Sequence, residues 1–405
     1  MKHASRRTRS ALSSARATLV AVAVVFGALS PSAVFAGAVG PSSDAEARQT
    51  PAPRHAGLDK LDHLIFIIQE NRSFDHYFGA YPGADGLTFD ANGRSLNCIP
   101  DPALGRDSCP YHTNSNVFRG GPHNRRSAVV SIDGGEMDGH IEALPETHRG
   151  CFDRETPDCV PFEGPDLQPD VMSYLDRRNI PNYWTYADRF VLQDRMFAPT
   201  DGWTLPSHLF LVSAWSAYCP VVSDPMSCVS NVDLKDYEMR WEYGEKPIYA
   251  WTDITYLLDR GGVSWKYYYA PDTCPFPPCQ SETNHPTDAT PSTRNPLPGF
   301  TQARQAGLRD NLATHDEFLA DAAAGTLPSV SWLVPGSESD HPSSGTGVRG
   351  GQAYVTEMVN AVMRSPDWGS SAIFLAWDDW GGFYDHVVPP AIDDNGYGLR
   401  VPGLM

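Results

Sequence analysis

The sequence predicts an α/β fold: a mostly parallel central sheet flanked by helices, with long loop insertions. Three observations predict it. Continuous β-branched and aromatic runs recur along the chain, helix-spaced segments lie between them, and the remaining stretches are rich in Pro, Gly, Asn and Cys. Unbroken apolar runs suit strands buried on both faces, as in a parallel sheet covered by helices.

The first strand is His63 to Gln69, HLIFIIQ, which ends abruptly at Glu70-Asn71. A second candidate runs from Arg189 to Leu192 and onward, into a loop at Pro199 to Trp203. Leu205 to Trp215 reads as a helix, with Leu205, Leu209 and Val212 on one face. Ser329 to Val334 is a third strand, followed by a polar Gly/Ser loop to Gly350 and helical spacing from Ala353 to Met363. Ala372 to Trp377 is a fourth strand and stops at Asp378-Asp379. Tyr81 to Thr147 and Pro220 to Pro298 read as insertions over the sheet rather than separate cores. One domain over residues 58–405 is the simplest organisation.

Residues 1–36 read as an export signal. Lys2, Arg6, Arg7, Arg9 and Arg16 form a basic start, Ala17 to Leu29 an apolar run, and Val34 and Ala36 a small-residue cleavage site. The apolar run is too short to span a membrane comfortably. Arg6-Arg7 leaves both the general secretory and the twin-arginine route open. Residues 37–57 read as a flexible leader. Eight cysteines fall as close couples, Cys98 with Cys109, Cys151 with Cys159, Cys219 with Cys228 and Cys274 with Cys279. With an export signal, disulfides closing short loops are the expected use. The end, Val401-Pro402-Gly403-Leu404-Met405, reads as a strand cut partway, so a truncated domain is expected.

The formal net charge is -18, and removing the signal takes away five cations, leaving about -23. An acidic chain lacks the basic footprint of a general nucleic-acid binder. It can still hold an anionic substrate through a bound cation, which inverts the local electrostatics.

Two buried-looking strands end in Glu70-Asn71 and Asp378-Asp379, where open α/β sheets bind ligands. Three carboxylates and an amide oxygen are costly to cluster without a cation, so these four are the candidate metal ligands. Solvated strand-end turns are the alternative for either pair alone. Thr204, in TLPSH, is the candidate nucleophile, because a helix start suits a phosphate and a hydroxyl there can be activated. A simple N-cap role for Thr204 stays open, and Thr200 and Ser207 compete. His341 in SESDHP, His386 in YDHVVPP and His123 in GGPHN are candidates for binding phosphate or protonating a leaving group. His76, His112 and His208 have weaker cases.

These residues carry a resemblance. Glu70 to Gly79, ENRSFDHYFG, resembles the signature of the bacterial phosphoesterase family that contains non-haemolytic phospholipases C and related acid phosphatases. The similarity continues through GGEMDG at 134–139, TLPSH at 204–208, DHP at 340–342 and DDWGGFYDHV at 378–387. It implies an alkaline-phosphatase-like fold and phosphate-ester hydrolysis through a hydroxyl nucleophile. On that resemblance the metal ligands fall on Glu70, Asn71, Asp378 and Asp379, the nucleophile on Thr204, and site histidines on His123, His341 and His386. Asp201-Gly202-Trp203 departs from the small-residue loop that precedes the family's nucleophile, and Arg400-Val401-Pro402 begins a strand that many members continue.

The expectation is therefore an exported phosphoesterase of phospholipase C type using one divalent ion: zinc, calcium, magnesium or manganese. Its partners would be phospholipid or small phosphate esters, with transient membrane-surface contact and no nucleic acid. An acid phosphatase on soluble monoesters is the alternative, and a non-catalytic secreted binding protein the remaining one. Trp251, Trp265, Tyr267, Tyr268 and Tyr269 are set either to touch a lipid or choline head group or to pack under a long loop.

Overall fold

The computed structural model describes residues 57–147, 164–233, 248–269, 292–305, 308–336, 339–342, 347–393 and 395–405. The signal and nearly all of the leader lie outside them, as do the couples Cys151/Cys159 and Cys274/Cys279. The main sheet has seven strands: β1 (His63–Gln69), β2 (Leu192–Gln193), β3 (Trp265–Tyr269), β4 (Leu312–Ala313), β5 (Val330–Val334), β6 (Ser371–Trp377) and β7 (Gly403–Leu404). Their order is β4-β3-β5-β1-β6-β7-β2. The first five run parallel; β7 is antiparallel to both of its neighbours.

Period-2 alternation explains how the sheet is covered on both sides. Ile65, Ile67, Leu333, Leu375 and Trp377 face one layer, built from α3 (Pro181–Arg189), α6 (His315–Ala324) and α7 (Gly347–Arg364). In α7, Tyr354, Val355, Met358, Val359 and Val362 supply the inward stripe at helical spacing. The other face packs Val330, Trp332 and Val334 against α4 (Thr204–Ser213) through Leu205, Leu209 and Val212.

Three expectations change. Arg189 ends a helix instead of opening a strand: Pro181 starts α3 and Tyr183, Trp184 and Ala187 anchor it, leaving only Leu192–Gln193 to pair. The stretch 220–298 does not lie wholly over the sheet, because it contains β3, which pairs with both β5 and β4. Consequently Trp251, Trp265, Tyr267, Tyr268 and Tyr269 are buried core residues, each 8% exposed or less, and of the two roles open to them packing is the one observed. Finally, α7 begins at Gly347, so the Gly/Ser loop is shorter than expected.

Disulfides join Cys98 to Cys109 and Cys219 to Cys228. The first closes over a small antiparallel pair, Ile99–Asp101 with Arg106–Ser108.

Candidate functional site

The register of β1 against β6 builds the centre of the site. Gln69 stands opposite Trp377, so the residues after each strand emerge side by side at the carboxyl end of the sheet. Asp378 N donates to the Gln69 carbonyl and Arg72 N to the Asp379 carbonyl, both at 3.0 Å. Glu70, Asn71, Asp378 and Asp379 are thereby gathered, each 3% exposed or less.

Asn71 sits in left-handed backbone at φ 61°, a region Asn tolerates better than most side chains. Its backbone N–H donates to Asp378 Oδ1 and its side-chain amide to Asp379 Oδ1, both at 2.9 Å. The same amide nitrogen meets His123 Nε2 at 3.1 Å. His123 Nδ1 faces the Gly121 carbonyl at 2.9 Å, and a carbonyl only accepts, so Nδ1 carries the proton and Nε2 offers a lone pair. Among the described residues, Asn71 Oδ1 meets no hydrogen-bond donor.

Two glycine pairs let the His123 loop come this close. Gly121 N donates to the Gly381 carbonyl at 2.9 Å, and a Cβ on Gly382 would lie 2.4 Å from the Gly121 backbone. The loops after α1 (Phe74–Phe78) and after β6 therefore dock backbone to backbone, which no larger residue permits there.

Thr204 is the first residue of α4, with Trp203 in the capping position and no side-chain cap bond. The N-cap alternative for Thr204 is therefore not what the helix shows. Its side chain instead acts on the Asp378 carboxylate. Burial pushes that carboxyl well above the ordinary range and the charge of Asp379 adds to this; bonds from Asn71 N, Asp379 N and the Thr204 side chain pull it back. Thr200 and Ser207 are also buried, and among the described residues the Ser207 hydroxyl has no hydrogen-bond partner.

His208 lies one turn beyond Thr204 on the same helical face, the i+4 spacing. Its Nδ1 donates to the Arg294 carbonyl at 3.0 Å. Its Nε2 stands 3.9 Å from both Glu70 Oε1 and Asp378 Oδ2. Burial, with help from the Arg294 charge, lowers its pKa to about 3, so the ring is neutral. Arg294 Nε pairs with Glu70 Oε1 at 2.8 Å. The sequence offered a signal for His208, the four-residue spacing from Thr204, but none for Arg294, which arrives from the second insertion.

A divalent cation fits these residues. Buried carboxylates are packed together at a cost that a cation offsets. Asn71 Oδ1 and His208 Nε2 are buried lone-pair donors that receive no hydrogen from any of the described residues. Glu70, His208 and Asp378 each bring one donor atom within 4.8 Å of the others.

Residues 61–405 match the Phosphoesterase family. The chain belongs to that family. It is 28% identical over 374 residues to the non-hemolytic phospholipase C of Pseudomonas aeruginosa, covering 87% of this chain and 46% of that protein. It is 29% identical over 361 residues to phospholipase C B of Mycobacterium tuberculosis, covering 84% and 62%. It is 26% identical over 381 residues to non-specific phospholipase C6 of Arabidopsis thaliana, covering 87% and 62%. The chain thus spans less than two thirds of the length of these relatives. The seven-stranded, largely parallel sheet is the alkaline-phosphatase-like arrangement of the phosphoesterases.

Within this phosphoesterase chain, His341 Nδ1 donates to the Pro342 carbonyl at 2.6 Å. Burial, with the charges of Arg294 and His123 adding to it, lowers its pKa to about 3. Arg72 fixes this loop to the end of β1: its guanidinium donates to the Asn71 carbonyl at 2.7 Å, to Tyr77 Oη at 3.1 Å and to the Asp340 carbonyl. His386 has other partners. It joins Asp75, at 2.7 Å from Nδ1, and Asp385 in a second acidic group. Arg400 supplies the positive charge there, bonding Asp385 at 2.8 Å and Asp75 at 3.0 Å. The family match covers all these positions, and the structure brings Glu70, Asn71, Asp378, Asp379, Thr204, His123 and His208 to one centre.

Proposed function

We propose that this chain is an exported, metal-dependent phosphoesterase of phospholipase C type, with Thr204 as nucleophile and residues 58–405 as its catalytic domain. The observation that carries the reading is Thr204 at the start of α4, acting on the carboxylate of Asp378 beside Glu70, Asn71 and Asp379. Those four side chains would hold one divalent ion, which supplies Lewis-acid charge to the reacting phosphate and favours the ionised hydroxyl.

The chain's own residues account for the rest. The Thr204 oxygen forms a bond to phosphorus as the bond to the leaving alcohol breaks, and the proton that leaves the Thr204 hydroxyl ends on the departing alcohol. The first backbone N–H groups of α4 face the phosphate with the positive end of the helix dipole. His123 or His341, each protonated at Nδ1, would take up that proton at Nε2 and pass it to the leaving alcohol. Water then cleaves the phosphothreonine and regenerates the hydroxyl.

Relatives named phospholipase C support a phospholipid phosphodiester as substrate. Two disulfides support an oxidising, exported location. The test is hydrolysis of a choline phosphodiester and of a simple phosphate monoester by purified, metal-loaded protein. Thr204→Ala is expected to lose at least about 10³-fold in kcat on the preferred ester while its fold is unchanged. Wild-type rates in Thr204→Ala would end the nucleophile assignment, and a preference for the monoester would make the chain a phosphatase.

A further inference from the structure

We propose that His208 is a fifth protein ligand of the ion, and that its nitrogen makes the site select zinc over calcium and magnesium. The inference rests on the metal reading above and goes beyond it in naming the ion's class. The oxygen donors alone suit hard ions as well as borderline ones. An imidazole nitrogen changes that balance, because it suits zinc and neighbouring transition ions.

Three observations carry it. First, the ring's tautomer is fixed. Nδ1 faces the Arg294 carbonyl at 3.0 Å, so the proton resides there and Nε2 holds the lone pair. This is the arrangement of metal-bound histidines, whose other nitrogen donates to a carbonyl or carboxylate. Second, Nε2 is 3.9 Å from Glu70 Oε1 and 3.9 Å from Asp378 Oδ2. Two donors at bond lengths of about 2.0–2.2 Å can stand up to about 4.2 Å apart across one ion, so 3.9 Å is within reach. Third, His208 is 1% exposed and its Nε2 has no hydrogen-bond partner among the described residues. Arg294 Nε already pairs with Glu70 Oε1 at 2.8 Å, but a buried lone pair beside that oxygen and Asp378 Oδ2 stays unfavourable until a cation lies between them.

The anchor is rigid as well. The Arg294 carbonyl that receives His208 Nδ1 also receives the Tyr267 hydroxyl, and Tyr267 belongs to β3 of the central sheet. The ring is therefore held between helix α4 and the sheet.

The decisive measurement uses wild-type protein loaded with Co²⁺ as a spectroscopic substitute for zinc. Proton NMR is expected to show a strongly shifted, solvent-exchangeable imidazole N–H that exchanges slowly, because Nδ1–H is buried against the Arg294 carbonyl. The absence of that resonance in Co²⁺-loaded wild type overturns the assignment without recourse to any variant. His208→Asn keeps an N–H donor near the Nδ1 position but lacks the ligating nitrogen. It is expected to lose the resonance and to weaken Zn²⁺ binding at least about tenfold, leaving Ca²⁺ binding unchanged. Equal Zn²⁺ affinity in folded His208→Asn and wild type sinks the ligand assignment alone. Failure of wild type to bind any of Zn²⁺, Ca²⁺ or Mg²⁺ sinks the metal reading together with it.

Discussion

Arg72 shows how a single side chain can set a site it does not enter. It is wholly buried and spends its hydrogen bonds on the Asn71 and Asp340 carbonyls and on Tyr77 Oη. The rings of Phe383, Phe118 and Tyr77 lie 5.1, 5.5 and 5.6 Å from its carbon, close enough for cation–π attraction. One guanidinium thus ties the left-handed turn at Asn71 to the loop carrying His341. Lysine has the charge but not the planar fork, so it cannot serve two carbonyls and a phenol in fixed directions. Arg72→Lys is expected to cost about 2–4 kcal/mol of stability by urea unfolding, through buried acceptors left unpaired. It should also lower kcat without a matching rise in KM. Unchanged stability would mean that the three acceptors find other donors.

At the scale of elements, the site depends on strand register and on loops that meet at glycine. Gly382 has φ +76°, and a Cβ on it would reach the Gly121 backbone at 2.4 Å, whereas Gly83, at φ +86°, has nothing within 4 Å. Gly382→Ala should therefore cost about 2–4 kcal/mol, combining backbone strain with a clash, and should loosen the His123 loop. Gly83→Ala should cost only the strain, about 1 kcal/mol. Similar losses in the two variants, compared by thermal unfolding, would show that loop docking contributes little. The disulfide between Cys219 and Cys228 belongs to the same scale. Replacing both with serine is expected to remove about 2–3 kcal/mol, as for any short closed loop.

How far the sequence exposed these elements varied with their burial. His63–Gln69 was legible to the residue because a run covered on both faces has no polar interruption until the sheet ends. The same reasoning placed Glu70-Asn71 and Asp378-Asp379 at strand ends, and parallel register then sets them adjacent. β3 was not legible because WKYYY, flanked by Pro-rich and Cys-rich sequence, reads as part of an aromatic-rich insertion and not as a strand of the sheet. β2, β4 and β7 are two residues each, too short for any periodicity. Arg294 and the His208 anchor depend on how the second insertion folds back over the site, which no local pattern records.

Across the whole molecule, two buried groups of two acids and a histidine each include an arginine, with different reach. In the group at Glu70, Asp378 and His208, Arg294 pairs with Glu70 and the proposed cation site remains, while in the group at Asp75, Asp385 and His386, Arg400 bonds both aspartates. That second group joins segments far apart in sequence: α1, the loop after β6, and the approach to β7. Arg400 also donates to the Asp85 and Asp194 carbonyls and lies 4.5 Å from the Phe74 ring, so it gathers five stretches of chain. His386 makes this knot sensitive to pH. Burial opposes its charged form, but the hydrogen bond and charge of Asp75, with the charge of Asp385, outweigh burial and raise its pKa. A raised folded-state pKa means the folded protein holds this proton more tightly than the unfolded chain. The stabilisation is complete below the unfolded value of about 6.5 and is lost as pH climbs through the raised value. The thermal midpoint is accordingly expected to fall with rising pH over that window, under constant metal loading. His386→Asn should be less stable than wild type at pH 6 and converge on it at higher pH, giving a flatter profile. Parallel profiles for the two proteins would show that the proton on His386 does not hold the knot together, leaving the work to Arg400 and its two aspartates.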